Sequence, residues 1–338
     1  MQVLKVNILV SENALFSTVF GPFDMFIQAG VFWNKIHDLP LTPNFDVSIT
    51  GLTDKEITGL SGAKIRPHKR ISDDDDFDLV IVPSEGMNIQ PHSQSFKRRV
   101  AYIKLMHERG AIVASICTGA FLLAATGLLN GKTATTHWAL ESPFRAAFPE
   151  VKLDTNLLIA EEGNVLTAGG VSADQDLCMR LIERCCDRDV ALQTAKCTLV
   201  DFHNNKQSSF KSFVINKTHG DSAVLLCQKH IADNLHRTIS ISELAIFSNL
   251  TTKTLNRKFK KATNYAVNEY IQHLKVEEAR RILEAETVSF EYVSQLLGYE
   301  NVSFFRRLFK RLVGVSPKEY RRLFNGVESN SLPLAQKN

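Results

Sequence analysis

Cysteine is sparse in this chain: six in 338 residues, with no CxxC pair. That is too few for a disulfide framework, and the adjacent Cys185 and Cys186 match no common metal-ligand spacing. Reduced thiols and a cytoplasmic protein are expected. Long apolar runs are also missing. The most apolar stretch, 119–129, is interrupted by Thr126 and Gly127 and falls short of the roughly 20 residues that cross a bilayer, so no membrane association is expected. The opening ten residues alternate in polarity and are too short for a signal peptide; they read as a first strand. The acidic run Asp73–Asp76 lacks the ligand pattern of a calcium loop and reads as a solvated loop. No metal and no cofactor is expected.

Strong net charge is absent too, the total being +4, but its distribution is uneven. Residues 237–322 hold 16 Lys and Arg against 9 Asp and Glu, leaving 24 against 27 for the rest of the chain. A basic end on a slightly acidic body points to a polyanionic partner for that end. The length suggests two domains, and 44% hydrophobic with 22% charged residues is ordinary for a globular chain.

Residues 1–186 alternate strand-like and helix-like segments. Strands are predicted at 3–10, 45–50, 78–83, 111–116, 157–160 and 165–168, the 78–83 run being continuously apolar as in a strand buried on both faces. Helices are predicted at 19–29, 95–108, 118–126, 139–148 and 173–186. This order implies an α/β, flavodoxin-like, mostly parallel sheet with helices on both faces. Residues 187–221 read as a connector with some helix, 222–324 as an all-helical domain, and 325–338 as a disordered tail.

The strongest signal is an internal repeat. Residues 255–261, LNRKFKK, match 305–311, FRRLFKR, at an offset of 50, and Leu244-Ala245 matches Val293-Ser294 at 49. In the second copy Phe305, Leu308, Phe309 and Leu312 form one apolar stripe, while Ser303, Arg306, Arg307 and Lys310 lie across from it. In the first, Leu255, Phe259 and Ala262 face inward and Lys253, Asn256, Arg257 and Lys260 outward. A short helix precedes each copy, 241–247 and 290–297. Thr251 and Asn301 suit the N-caps, and Gly298 and Asn249 suit the tight turns. A long helix at 267–284 joins the copies. At about 1.5 Å per residue it spans roughly 27 Å, enough to hold two recognition helices near the 34 Å separation of successive major grooves. The pattern is that of two helix-turn-helix units.

On residues 239–324, and most specifically 297–321, the C-terminal block resembles the AraC/XylS-type DNA-binding domain. The resemblance implies double-stranded DNA as partner, with base-reading positions at Lys253, Asn256 and Arg257 in the first helix and Val302, Ser303, Arg306 and Arg307 in the second. Lys260, Lys261, Lys310 and Arg311 would contact phosphate. The two arginines are not ordered by the sequence, since Arg306 reaches either base or phosphate.

In the N-terminal block, Ala114-Ser-Ile-Cys117-Thr-Gly-Ala120 puts a cysteine between a buried strand and a small-residue helix, the layout of a nucleophile elbow. With Gly21-Pro-Phe-Asp, Asp78–Pro83, Thr135-Thr-His-Trp138 and Thr167-Ala-Gly-Gly-Val171, this segment resembles the ThiJ/PfpI-like, glutamine-amidotransferase-like superfamily over residues 3–186. That domain followed by an AraC-type domain is the arrangement of GlxA-like regulators. The departures matter. Thr18 stands where enzymatic relatives carry an acid, Thr118 where protease-like relatives carry histidine, and Ser84-Glu85-Gly86 replaces a Pro-Gly-Gly turn. A hydroxyl does not serve as a general acid at neutral pH. A pocket that keeps its shape without chemistry is expected, lined by Thr18, Glu85, Cys117, Thr118 and His137, with Glu85 directed either at the pocket or at solvent. The implied protein is a non-enzymatic transcription activator, homodimeric, answering to a small, often nitrogen-containing effector and engaging RNA polymerase. The alternatives are a cysteine-dependent hydrolase or hydratase, or a redox sensor, using Cys117.

Overall fold

The computed structural model describes residues 2–86, 91–200, 213 and 215–324. The tail expected at 325–338 and the polar cluster at 203–209 lie outside them. The chain divides into two compact units between Gln207 and Ser208.

The first unit holds β1 (Leu4–Leu9), β2 (Phe45–Gly51), β3 (Ile57–Thr58), β4 (Lys64–Ile65), β5 (Lys69–Arg70) and β6 (Leu79–Val82). It continues with β7 (Ile112–Ile116), β8 (Thr133–Ala134), β9 (Lys152–Leu153), β10 (Ile159–Glu162) and β11 (Val165–Ala168). Its helices are α1 (Ser17–Gln28), α2 (Phe32–Ile36), α3 (Gln94–Glu108), α4 (Gly119–Ala125), α5 (Glu141–Ala147), α6 (Ala173–Cys185) and α7 (Arg188–Thr198). The main sheet runs β10-β11-β7-β6-β1-β2-β5, and every neighbouring pair is parallel except β10 with β11.

The continuous apolar runs explain this layout. Leu79–Val82 is wholly buried, as parallel strands covered on both faces must be. One core, with Val6, Ile8, Phe26, Ile81 and Ile182, lies on the α1 and α6 side. The other, with Val80, Tyr102, Val113, Phe121 and Phe144, lies on the α3, α4 and α5 side. The sheet order reverses between β1 and β6, and such a switch point opens a crevice at the carboxyl ends of the strands.

One expectation needs revision. Asp75 is not solvated. Its carboxylate accepts from Lys69 Nζ (2.8 Å), the Ser72 amide (2.9 Å) and the Tyr102 hydroxyl (2.9 Å), which bury it against α3. Helix α7 occupies part of the segment read as a connector, and its Ala191 and Ala195 join the first unit's core.

The second unit is helical: α8 (Ser222–Asp233), α9 (Ile241–Phe247), α10 (Thr252–Thr263), α11 (Val267–Ala285), α12 (Phe290–Leu296), α13 (Val302–Val313) and α14 (Pro317–Phe324). It has two apolar cores. Leu244, Leu255, Phe259, Tyr270 and Leu274 form one. Val276, Leu283, Val293, Phe305, Phe309 and Tyr320 form the other. Helix α11 contributes to both, so each core belongs to one copy of the repeat. No described helix is long and apolar enough to cross a membrane.

Candidate functional site

The crevice is built from strand ends. Cys117 follows β7 with φ +54°, a left-handed conformation that costs a non-glycine residue about 1–2 kcal/mol. Three features hold it there. The Cys117 amide donates to the Ala168 carbonyl at the end of β11 (2.8 Å). Thr136 Oγ1 donates to the Cys117 carbonyl (2.8 Å). Gly119 lets α4 start hard against β6: a Cβ there would sit 2.5 Å from the Val82 carbonyl oxygen and 2.7 Å from that of Pro83.

Around the thiol, hydroxyls dominate. Thr118 Oγ1 accepts from the Glu85 amide (2.6 Å), donates to the Glu85 carbonyl (2.5 Å) and lies 3.1 Å from Ser84 Oγ. Thr18 Oγ1 donates to the Leu15 carbonyl (2.7 Å) and accepts from the Ser84 amide (3.0 Å). Thr18, Ser84, Cys117 and Thr118 thus form one buried hydrogen-bonded floor.

Glu85 is partly buried and engaged through both backbone and side chain. Its backbone joins the floor, but its side chain accepts from Ser11 Oγ (2.7 Å) and pairs with the buried guanidinium of Arg99. Burial pushes Arg99 down to about 10, so it remains charged at neutral pH and the carboxylate is already neutralised. Ser11, Ser84, Arg99 and Thr136 were missed from the sequence. Arg99 left one trace: it falls on the apolar side of α3 with Phe96, Tyr102, Ile103 and Met106.

Burial raises the pKa of the Cys117 thiol above that of a free cysteine, and hydrogen bonding with Ser84 and the Thr118 backbone opposes this only in part. His137 is half-buried, which pushes its imidazole toward the neutral form, and its Nδ1 accepts from the Ala139 amide (3.2 Å). His137 is connected to Cys117 through its neighbour Thr136, and no hydrogen bond joins imidazole and thiol among the described residues. A general base must reach the proton it removes, directly or through one water.

In the second unit, the two repeats have matching geometry. Thr251 Oγ1 caps α10 by accepting from the Thr254 amide (3.2 Å), and Asn301 Oδ1 caps α13 from the Phe304 amide (2.9 Å). Asn249 and Gly298, in the turns, both have positive φ. Buried Leu255 and Phe259 match buried Phe305 and Phe309. Opposite them Lys253, Arg257, Lys260, Ser303, Arg306, Arg307 and Lys310 are exposed, with Asn256 and Val302 half-exposed. The arginines differ in engagement. Arg306 donates to Glu291 on α12 (2.5 Å), with its guanidinium 5.8 Å from the centre of the Phe290 ring. Arg307 makes no hydrogen bond or ion pair with another described residue.

Residues 5–184 match the DJ-1/PfpI family model, more than half the chain. The chain belongs to the DJ-1/PfpI family. In this DJ-1/PfpI protein, residues 244–323 match a helix-turn-helix domain model, and the C-terminal unit is of the AraC type. Similar curated proteins include the HTH-type transcriptional regulator GbdR of Pseudomonas aeruginosa, 24% identical over 276 residues, covering 80% of this chain and 73% of the relative. The HTH-type transcriptional regulator GlxA of Rhizobium meliloti is 23% identical, covering 65% of this chain and 68% of its own length. Isonitrile hydratase of Pseudomonas putida is 28% identical over 180 residues, 49% of this chain and 75% of the relative.

Proposed function

We propose that this DJ-1/PfpI-family protein is a sequence-specific DNA-binding transcription activator whose N-terminal unit binds a small metabolite without turning it over. The observation that carries the reading is the pair of capped helices with cationic outer faces, α10 and α13, each set behind a short helix and a positive-φ turn. A helix-turn-helix places such a helix in the major groove. In this reading Lys253, Asn256, Arg257, Val302, Ser303 and Arg307 face base edges, Lys260 and Lys310 face phosphates, and Arg306 exchanges Glu291 for a phosphate. The strand-end crevice takes the effector on Thr18, Ser84, Cys117 and Thr118, with His137 at its rim and the backbone of Glu85 in its floor. The active form is a homodimer that engages RNA polymerase. The regulator names of GbdR and GlxA support this reading.

Mapping bound genomic DNA, then titrating the protein against a recovered segment and against random sequence, tests it. Strong preference for the recovered segment is expected, with affinity falling steeply as salt rises because bound phosphates release counterions. Equal binding to both DNAs contradicts it.

The positive-φ Cys117 and the likeness to isonitrile hydratase favour a second reading, a cysteine-dependent hydratase or hydrolase. Turnover of an isonitrile, abolished by Cys117→Ala, would establish it. Among the described residues no base is hydrogen-bonded to the raised-pKa thiol, which argues for binding alone.

A further inference from the structure

Helix α11 passes through both cores of the second unit, and the change-over falls at one residue. Tyr270, Ile271 and Leu274 belong to the first core, and Val276, Ala279 and Ile282 to the second. Between them stands Lys275, 3% exposed. A lysine is rarely buried without partners, and this one has two. Its Nζ donates to the Arg237 carbonyl (2.9 Å), in the turn between α8 and α9, and to the Leu297 carbonyl (2.7 Å), at the end of α12. The Tyr299 ring lies beneath it, with Nζ 5.0 Å from the ring centre. Burial and the nearby Arg237 push its pKa down to about 8, so at pH 7 it is still an ammonium with three donors.

The same two turns meet directly. A Cβ on Gly298 would lie 2.9 Å from Arg237 Cα and carbonyl carbon and 3.1 Å from the His236 carbonyl oxygen. Leu235 packs against both cores. The repeats are therefore joined by more than a shared helix: the turn before α9 is fastened to the turn before α13 by an ammonium bridging two carbonyls.

We propose that Lys275 is the positioning residue that fixes the spacing of the two recognition helices, so that the protein accepts its two DNA segments at one separation only. This rests on the DNA-binding reading above. A rigid pair of heads loses its second contact when the separation changes, whereas a loosely linked pair adjusts. One inserted base pair moves the second segment by about 3.4 Å and about 34°.

The test uses the full chain, the mapped DNA, the same DNA with one base pair inserted between the segments, and a DNA bearing a single segment. The parent is expected to lose about tenfold or more in affinity on insertion. Lys275→Met, which keeps the stem but removes the donors, is expected to cut that penalty to about threefold or less, with single-segment binding within about twofold of the parent. Lys275→Arg restores the penalty. A purely structural role would weaken all three DNAs together and leave the penalty unchanged, which overturns the proposal. A parent that tolerates the insertion overturns it as well. If the methionine variant loses single-segment binding, Lys275→Gln takes its place and must show the reduced penalty. Failure of the parent to prefer any mapped segment sinks the regulator reading itself, whereas an unchanged penalty sinks only the role of Lys275.

Discussion

Arg306 and Arg307 are neighbours on α13, and they differ in what holds them. Arg307 is exposed and bonded to no other described residue, while Arg306 is tied to Glu291 (2.5 Å). A guanidinium that reads guanine donates two bonds to its O6 and N7, worth about 1–3 kcal/mol of discrimination, or about 5- to 150-fold. Arg307→Ala should lose that factor on the mapped DNA while its affinity for random DNA falls only slightly. Arg306→Ala should weaken both DNAs alike and shallow the salt dependence, because a charge that serves phosphate carries no sequence information. Fluorescence anisotropy titrations of both variants at several salt concentrations measure all four affinities. If Arg307→Ala keeps its full preference and Arg306→Ala loses it, the assignment is reversed. If neither changes preference, α13 does not read bases through its arginines.

Two predictions concern the first unit. Burial holds the Cys117 thiol above its ordinary pKa, so iodoacetamide should modify it more slowly than a free thiol at pH 7.5, with the rate still climbing beyond pH 9. Modification as fast as glutathione at pH 7.5 would show an activated nucleophile. Asp174 is buried beside Gly21, and desolvation raises its pKa from 3.8 to about 6. The folded state thus binds this proton more tightly than the unfolded chain, and stability is lost as pH rises through that window. Asp174→Asn should stabilise the protein by about 1–3 kcal/mol at pH 7.5 and by no more than about 0.5 kcal/mol near pH 4. Denaturant melts at the two pH values decide it, and a gain independent of pH would mean that the carboxylate is not what costs stability.

Periodicity and capping chemistry act locally, and they were legible. The buried strands, the repeat, the caps at Thr251 and Asn301 and the turns at Asn249 and Gly298 could all be placed from neighbouring residues. What stayed hidden depends on partners distant in sequence. Glu85 and Arg99 neutralise each other from a strand end and a helix. Asp75 is buried by Lys69 and Tyr102. Lys275 finds carbonyls 38 residues before it and 22 after it. A charged residue in a sequence reads as exposed until its partner is known, so the buried charges that shape both units were the ones missed. The edge strand β5 and helix α2 escaped for a different reason: two to five residues carry too weak a period to stand out.

Dimethyl sulfate protection on the mapped DNA measures most directly whether both repeats enter the major groove, since the reagent attacks guanine N7 there. Bound protein should shield two groups of guanines about 10 base pairs apart on one face of the duplex. Arg307→Ala should expose the group under α13 and Arg257→Ala the group under α10. A single protected group, or two that respond to both substitutions together, would contradict the account of two separate recognition helices.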